Sequence, residues 1–287
     1  MEKRTTLTPE DIRAFEPEAK VGLLATVDGQ GLPHITLITT LRARSADRLM
    51  WGQFSEGRSK VNVRGNPRAG FLVLTMDKRL WRGTAAWTHT ETIGKDFELY
   101  NNLPMFRYNA YFGIHTVHYM DLKETGGQEK LPMAGIVAAT LATRLARLGG
   151  GHGKEVLKPW ARGVFNDMAA LKFIAYIAED GFPRLIPIIQ CQAASADNLI
   201  FSSLAYGTEI RSIPIGAPVA VFALTLKMES VLVRGSFSDL GIGPFGRVGR
   251  VPIDWVYNSM PPKQGQIYPE VPLAPVVDFG QGLRDIS

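Results

Sequence analysis

Short runs rich in strand-forming hydrophobic residues, bounded by polar and turn-forming residues, recur through most of the chain. Residues 21–27, 34–41, 48–53, 68–75 and 80–87 each read as a β-strand, with breaks such as Asp28-Gly29 between them. A short helix is expected to open at Thr8-Pro9, where threonine caps and proline takes the first helical position. The segment GRSKVNVRGNP, residues 57–67, reads as a helical turn that ends before Pro67. The order then recurs as strands over 173–178, 184–192, 199–203, 219–226 and 230–237, after a helix within 159–171. Residues 113–122 and 249–258 share an aromatic pattern and are the expected last strands. Residues 131–148 are apolar at helical spacing, with Arg144 and Arg147 near the end, and predict a bridging helix. Short, evenly spaced antiparallel strands with few helices suggest small closed barrels in a mainly β (α+β) chain, rather than an α/β sheet. From Pro261 the proline-rich tail is expected to be extended.

The recurrence is visible in the residues themselves. Leu7-Thr8-Pro9 pairs with Leu157-Lys158-Pro159, Gly31-Leu32-Pro33 with Gly181-Phe182-Pro183, and Ser45-Ala46-Asp47 with Ser195-Ala196-Asp197, all 150 positions apart. Gly65-Asn66-Pro67 meets Gly216-Ala217-Pro218, and Arg82-Gly83 meets Arg234-Gly235, with the register drifting by only two positions. Such a period exceeds that of solenoid repeats, so each copy is a domain. The expected division is a first barrel over 1–125, a helical bridge over 126–156 and a diverged second barrel over 157–287.

Composition narrows the class. The 287 residues are 45% hydrophobic and 21% charged, which is ordinary for a folded domain. The longest charge-free run, residues 212–226, holds Pro214 and Pro218 and is shorter than the roughly 20 residues of a spanning helix, so no membrane partner is expected. The N-terminal residues have no apolar run after their charges, so no signal peptide is expected. A single cysteine, Cys191, allows no internal disulfide and suits a reducing, cytoplasmic setting. The formal charge of +5 lies entirely in residues 1–150, which carry 20 basic and 15 acidic residues against 12 and 12 in the remainder. Between Arg42 and Arg82 there are ten basic and three acidic residues, compatible with a phosphate site, a nucleic-acid face or a solvated surface.

Several motifs fail on context. Residues 241–246 spell GxGxxG, but a strand pattern with Pro252 follows where a dinucleotide loop needs a helix. Residues 149–154 suggest a P-loop but place Glu155 where Ser or Thr belongs, so a linker is expected. No cysteine supports a zinc site, and His115 and His118, three apart on a strand, would face opposite ways. No metal site is expected. The aromatic run 105–112 reads as core or as a surface stacking on a ligand.

Residues 51–67 are different. A strand enters a glycine turn, and Arg58-Ser59-Lys60 stand at the start of a helical turn. Unpaired backbone N–H groups, a hydroxyl and two cations converge there, as a phosphate dianion requires. The matching place in the second copy, Tyr206-Gly207-Thr208-Glu209, has no lysine and puts an acid in a cation's position.

Thr26, Asp28, Gly31, Pro33, His34, Ser59, Lys60, Asn66, Pro67 and Gly83 together resemble the pyridoxamine 5'-phosphate oxidase-like FMN-binding split barrels. The likeness covers about residues 20–122 well and 172–258 weakly. It implies two tandem six-stranded Greek-key split barrels with short helices, and FMN bound where two barrels meet. The FMN phosphate would lie against Arg58, Ser59 and Lys60. The strands holding His34, Thr36, Trp51 and Gln53 would edge the rest of the flavin, and Gln53, Trp81 and Arg82 are candidates to stabilise its reduced form. No acid–base residue is assigned. The second barrel, or a homodimer, would complete the pocket, with one flavin per chain. Lys60 lies six residues before Asn66, one closer than is common in the family. The C-terminal Trp and Arg-x-His pattern of true oxidases is missing, so pyridoxamine phosphate is not the expected substrate.

The leading expectation is an FMN-dependent oxidoreductase acting on a small molecule or electron donor. The alternatives are a flavin-binding or redox-sensing protein without turnover, and a haem-binding split barrel with His115 or His118 as axial ligand. A nucleic-acid binder is a third; it needs the basic window spread over one exposed face with stacking aromatics, and nucleic acid is not the expected partner.

Overall fold

The computed structural model describes residues 3–103, 113–147, 153–243, 246–258 and 265–271. The described residues form two compact units, one built on residues up to Leu131 with the short segment Glu179–Arg184, the other on Pro132–Ala178 and the described residues from Leu185 to Val271.

The first unit contains α1 (Pro9–Ala14), β1 (Lys20–Val27), β2 (Pro33–Leu37), β3 (Arg42–Ala43), β4 (Arg48–Gln53), α2 (Arg58–Gly65), β5 (Arg68–Thr75), β6 (Arg79–Glu91), α3 (Lys95–Asn102) and β7 (Thr116–Lys130). Its strands pair in the order β2-β1-β5-β6-β7-β4-β3, all antiparallel. In a flat sheet β2 and β4, five steps apart, would be about 24 Å from each other. Yet Thr40, three residues past the end of β2, donates its hydroxyl to Gly52 O of β4 at 2.8 Å. Three residues reach at most about 11 Å, so the sheet must roll up on itself. The rolled face buries Leu24, Trp51, Phe71, Trp81 and Met120 around one core, with Val63 of α2 and Phe15 after α1 packed into it.

The strand expected over 34–41 stops at Leu37. Ile38 N–H bonds back to Gly22 O and Leu41 N–H to Ile38 O, a turn that carries the chain into β3. The last strand runs well beyond residue 122, because 124–130 pair with 79–84 of β6. That stretch has few apolar residues, so its sequence gives no strand signal. α3, not expected from the pattern, is held by Tyr100, whose hydroxyl donates to Thr40 O at 2.8 Å. The aromatic run 105–112 lies outside the described residues.

The second unit contains α4 (Met133–Arg147), α5 (Pro159–Asn166), β8 (Leu171–Ile177), β9 (Pro183–Pro187), β10 (Gln192–Ala193), β11 (Asn198–Ser202), α6 (Gly207–Arg211), β12 (Pro218–Leu224), β13 (Ser230–Ser236), β14 (Ser238–Gly243), β15 (Gly246–Asn258) and β16 (Gly265–Tyr268). Its main path, β9-β8-β12-β13-β15-β11-β10, runs through corresponding strands in the order of the first unit, with β14 and β16 added beside β15. Particular hydrogen bonds recur as well. Leu7 N–H to Ala46 O is answered by Leu157 N–H to Ala196 O, and Thr40 to Gly52 O by Gln190 Nε2 to Ser202 O at 2.7 Å. Gly241 and Gly243 lie in β14 and Gly246 opens β15, so two strands flank the GxGxxG spelling where a phosphate loop would need a helix. Residues 244–245 are outside the described set, as are 148–152 of the glycine-rich linker. Of the tail expected to be extended, residues 265–271 are described, and 265–268 of these form β16.

Candidate functional site

β4 ends at Gln53, and after four intervening residues α2 begins at Arg58. Gly57 caps the helix without a side-chain hydrogen bond, so the first N–H groups of α2 are left to backbone, solvent or a ligand. α2 is fixed from below by Asn62, whose side-chain amide donates to the buried Thr26 hydroxyl of β1 at 2.9 Å. It also lies against β2, which carries His34 and Thr36. The strands and the helix turn that the sequence singled out therefore meet.

Ser59 and Lys60 both point inward. Ser59 is fully buried, and its hydroxyl has no hydrogen-bond partner. Lys60 is only 8% exposed, and its ammonium lies 6.0 Å from the centre of the Trp51 ring. Burial pushes the Lys60 pKa down to about 8, against a smaller upward pull from Glu56. Trp51 is fully buried and its indole N–H is also without a partner. A buried donor left unmade costs on the order of 1–3 kcal/mol. Buried donors and a buried cation with little counter-charge together fit an anionic ligand and disfavour a cationic one. Arg58 is exposed at the mouth of the same turn.

Around this turn runs a polar chain. Trp51 stacks on His118 of the adjacent β7, with ring centres 3.7 Å apart and planes 7° from parallel. His118 Nδ1 accepts from the Trp87 indole at 3.1 Å, and its Nε2 meets Gln53 Oε1 at 2.6 Å. Gln53 Nε2 in turn donates to Glu56 Oε1 at 2.9 Å. Burial, reinforced by Lys60 and Arg64, lowers the His118 pKa to about 3, so the ring is neutral. With both ring nitrogens engaged, His118 has no free lone pair for a haem iron. His115, just before β7, has its Nδ1 against Thr116 Oγ1 at 2.9 Å and its Nε2 buried without a partner. Its pKa is lowered by burial first, with Glu56 raising and Lys60 lowering it.

Two of the expected residues lie elsewhere. Trp81 is fully buried and donates its indole N–H to Asp11 Oδ1 of α1 at 2.8 Å, so it serves the core. Arg82 pairs with Glu129 through Nε at 3.1 Å and Nη2 at 2.7 Å, which commits its guanidinium to β7. Sequence reasoning missed Glu56 and Trp87, and gave His118 no place beside Trp51. The β4–β7 register, which sets Trp51 opposite His118, joins residues 67 positions apart and leaves no local mark.

A surface cleft of about 350 Å3 in the same unit is lined by Arg44, Arg48, His89, Glu91, Asp96 and Tyr119, among others. Within it Arg44 pairs with Asp96 at 2.6 Å, and the Tyr119 hydroxyl lies 2.9 Å from both Glu91 and Asp96. It offers no vacant donor set comparable to that around Lys60. At the corresponding place in the second unit, α6 is a five-residue helix that follows Tyr206 in the left-handed region, and it has no lysine.

A family model described as pyridoxamine 5'-phosphate oxidase matches residues 8–126. No curated protein matches the chain. Among solved structures, a putative pyridoxamine 5'-phosphate oxidase from Lactobacillus delbrueckii is 16% identical, with 44% of this chain and 98% of that one covered and a TM-score of 0.35. An FMN-binding protein from Syntrophomonas wolfei is 15% identical over 40% of this chain and 84% of that one, with a TM-score of 0.33. HupZ from Group A Streptococcus is 15% identical over 42% and 91%, with a TM-score of 0.34. Identities and scores this low carry no argument about cofactor or substrate. The match to residues 8–126 includes every residue of the Trp51–Lys60 turn and of the polar chain around it, so it is in this segment that the chain is similar to the pyridoxamine 5'-phosphate oxidase family.

Proposed function

We propose that the chain binds FMN at the start of α2 and acts as an FMN-dependent oxidoreductase, built from tandem split barrels of which only the first holds the cofactor. The reading is carried by Lys60, a buried cation with little counter-charge beside the unpartnered Ser59 hydroxyl. Lys60, Ser59, Arg58 and the backbone at the start of α2 would hold the phosphate. His34 and Thr36 on β2, with Trp51 and Gln53 on β4, would border the remainder. FMN, when bound, supplies electron transfer; the protein's part is to anchor, orient and exclude water. Trp51 and His118 form a dry, stacked wall beside the anchor, where a charged hydrogen bond is worth more than in water. The second unit, lacking the lysine, is assigned a structural role.

Titrating the purified protein with FMN and with riboflavin tests the assignment. FMN fluorescence should be quenched at least tenfold more tightly than that of riboflavin, and Lys60→Glu should abolish the preference. Equal binding of the two flavins, or none, sinks the phosphate-anchor reading.

A further inference from the structure

The chain Trp87–His118–Gln53–Glu56 can run in only one direction. An indole N–H donates and never accepts, so Trp87 makes His118 Nδ1 the acceptor. A neutral ring must then carry its proton on Nε2, which donates to Gln53 Oε1. The Gln53 carboxamide, only 1% exposed, thereby has its oxygen turned to His118 and its NH2 turned to Glu56 on the 54–57 loop. One N–H reaches Glu56, and the carboxamide carries a second N–H beside it. Stacking on Trp51 at 3.7 Å keeps the imidazole from rotating out of this arrangement.

From this we infer that Trp87 and His118 are positioning residues, which lock Gln53 as a hydrogen-bond donor facing the start of α2. The lock is a property of the free protein. Only its ligand, FMN, rests on the function proposed above. A bound ligand thus meets a carboxamide that can donate and cannot turn over to accept, so the site favours an acceptor group beside the anion and rejects a donor there.

Nitrogen-15 spectra of histidine- and glutamine-labelled protein test the lock without any ligand. The wild type should show His118 wholly as the Nε2–H tautomer. Trp87→Phe, which keeps an aromatic ring but removes the donor, should populate the Nδ1–H tautomer and weaken FMN binding about tenfold. Gln53→Glu, which preserves the acceptor for His118 but loses both N–H groups, should leave the tautomer unchanged and weaken FMN by a similar factor. An Nδ1–H tautomer in the wild type overturns the proposal, as does a Trp87→Phe protein with unaltered tautomer and unaltered FMN affinity. Should Trp87→Phe fail to fold, Gln53→Glu with undiminished FMN affinity overturns it equally. A wild-type protein that shows the locked tautomer and binds no FMN overturns the flavin reading while upholding the lock.

Discussion

At the scale of single residues, Lys60 is where stability and binding oppose each other. Its pKa is lowered to about 8 by burial, so below pH 8 folding holds an ammonium where water would hold it better. Between pH 8 and the unfolded value near 10.5 the unfolded chain binds a proton that the folded one does not, and stability from this residue rises with pH. Binding of an anion runs the other way, since it requires the charged form. Affinity for FMN should therefore be flat below pH 8 and fall about tenfold per unit above it, which a fluorescence titration from pH 7 to 10 would show. Lys60→Met should raise the urea midpoint, by on the order of 1 kcal/mol in stability, while losing FMN. An unchanged midpoint would mean that the buried charge is better solvated than its surroundings indicate. The sequence made Arg58, Ser59 and Lys60 legible because a glycine turn, a hydroxyl and two cations are adjacent in the chain. It hid Trp87 and His118 because their roles come from pairing across β4, β6 and β7. It hid the partners of Trp81 and Arg82 for the same reason, as neither Asp11 nor Glu129 is near them in the chain.

Among the elements, α1 shows how a local motif serves a distant strand. Thr8 Oγ accepts from Asp11 N–H at 3.2 Å while Asp11 accepts from Thr8 N–H at 2.9 Å, a closed capping box. The same carboxylate takes the Trp81 indole N–H. Burial pushes the Asp11 pKa up, but hydrogen bonds from Thr8 and Trp81 and the charge of Arg4 outweigh it and hold it below the usual value. The stability it contributes is present above about pH 4 and is lost as pH falls further. Asp11→Ala removes a cap and orphans a buried indole, and should cost about 2–4 kcal/mol by urea denaturation. Pro9 and Thr8 made the helix legible; the tie to β6 could not be read. Gly83 is set by a close approach. A Cβ there would run into Glu124 O of β7, where the β6–β7 register shifts on either side. Its counterpart Gly235 is pressed in the same way against Pro252 O of β15. Gly83→Ala should destabilise by about 1–3 kcal/mol through backbone displacement, seen as a lowered thermal midpoint. The repeated glycine was visible at an offset of 152, whereas the crossing strand that requires it was not.

Across the whole molecule, two units share one strand order, and differ at the turn after β4 and its counterpart β11. The offset of 150 was readable because hairpin glycines and prolines cannot drift without losing the turn. Both Gly31 and Gly181 keep a positive φ, of 76° and 77°. The long pairing of β6 with β7 was not readable, since its outer half carries polar residues on both faces. If only the first unit anchors a flavin, titration should saturate at one FMN per chain, and a stoichiometry of two would reject the division of roles. The unpartnered donors around Lys60 also bear on the life of the protein in a cell. A ligand that occupies them adds stability set by its concentration, about 2.7 kcal/mol at a hundredfold excess over Kd. Without that ligand the chain opens more often and is exposed to proteolysis in proportion. The amount of this protein that a cell retains would then follow its supply of ligand, so that scarcity clears empty copies with no dedicated regulator.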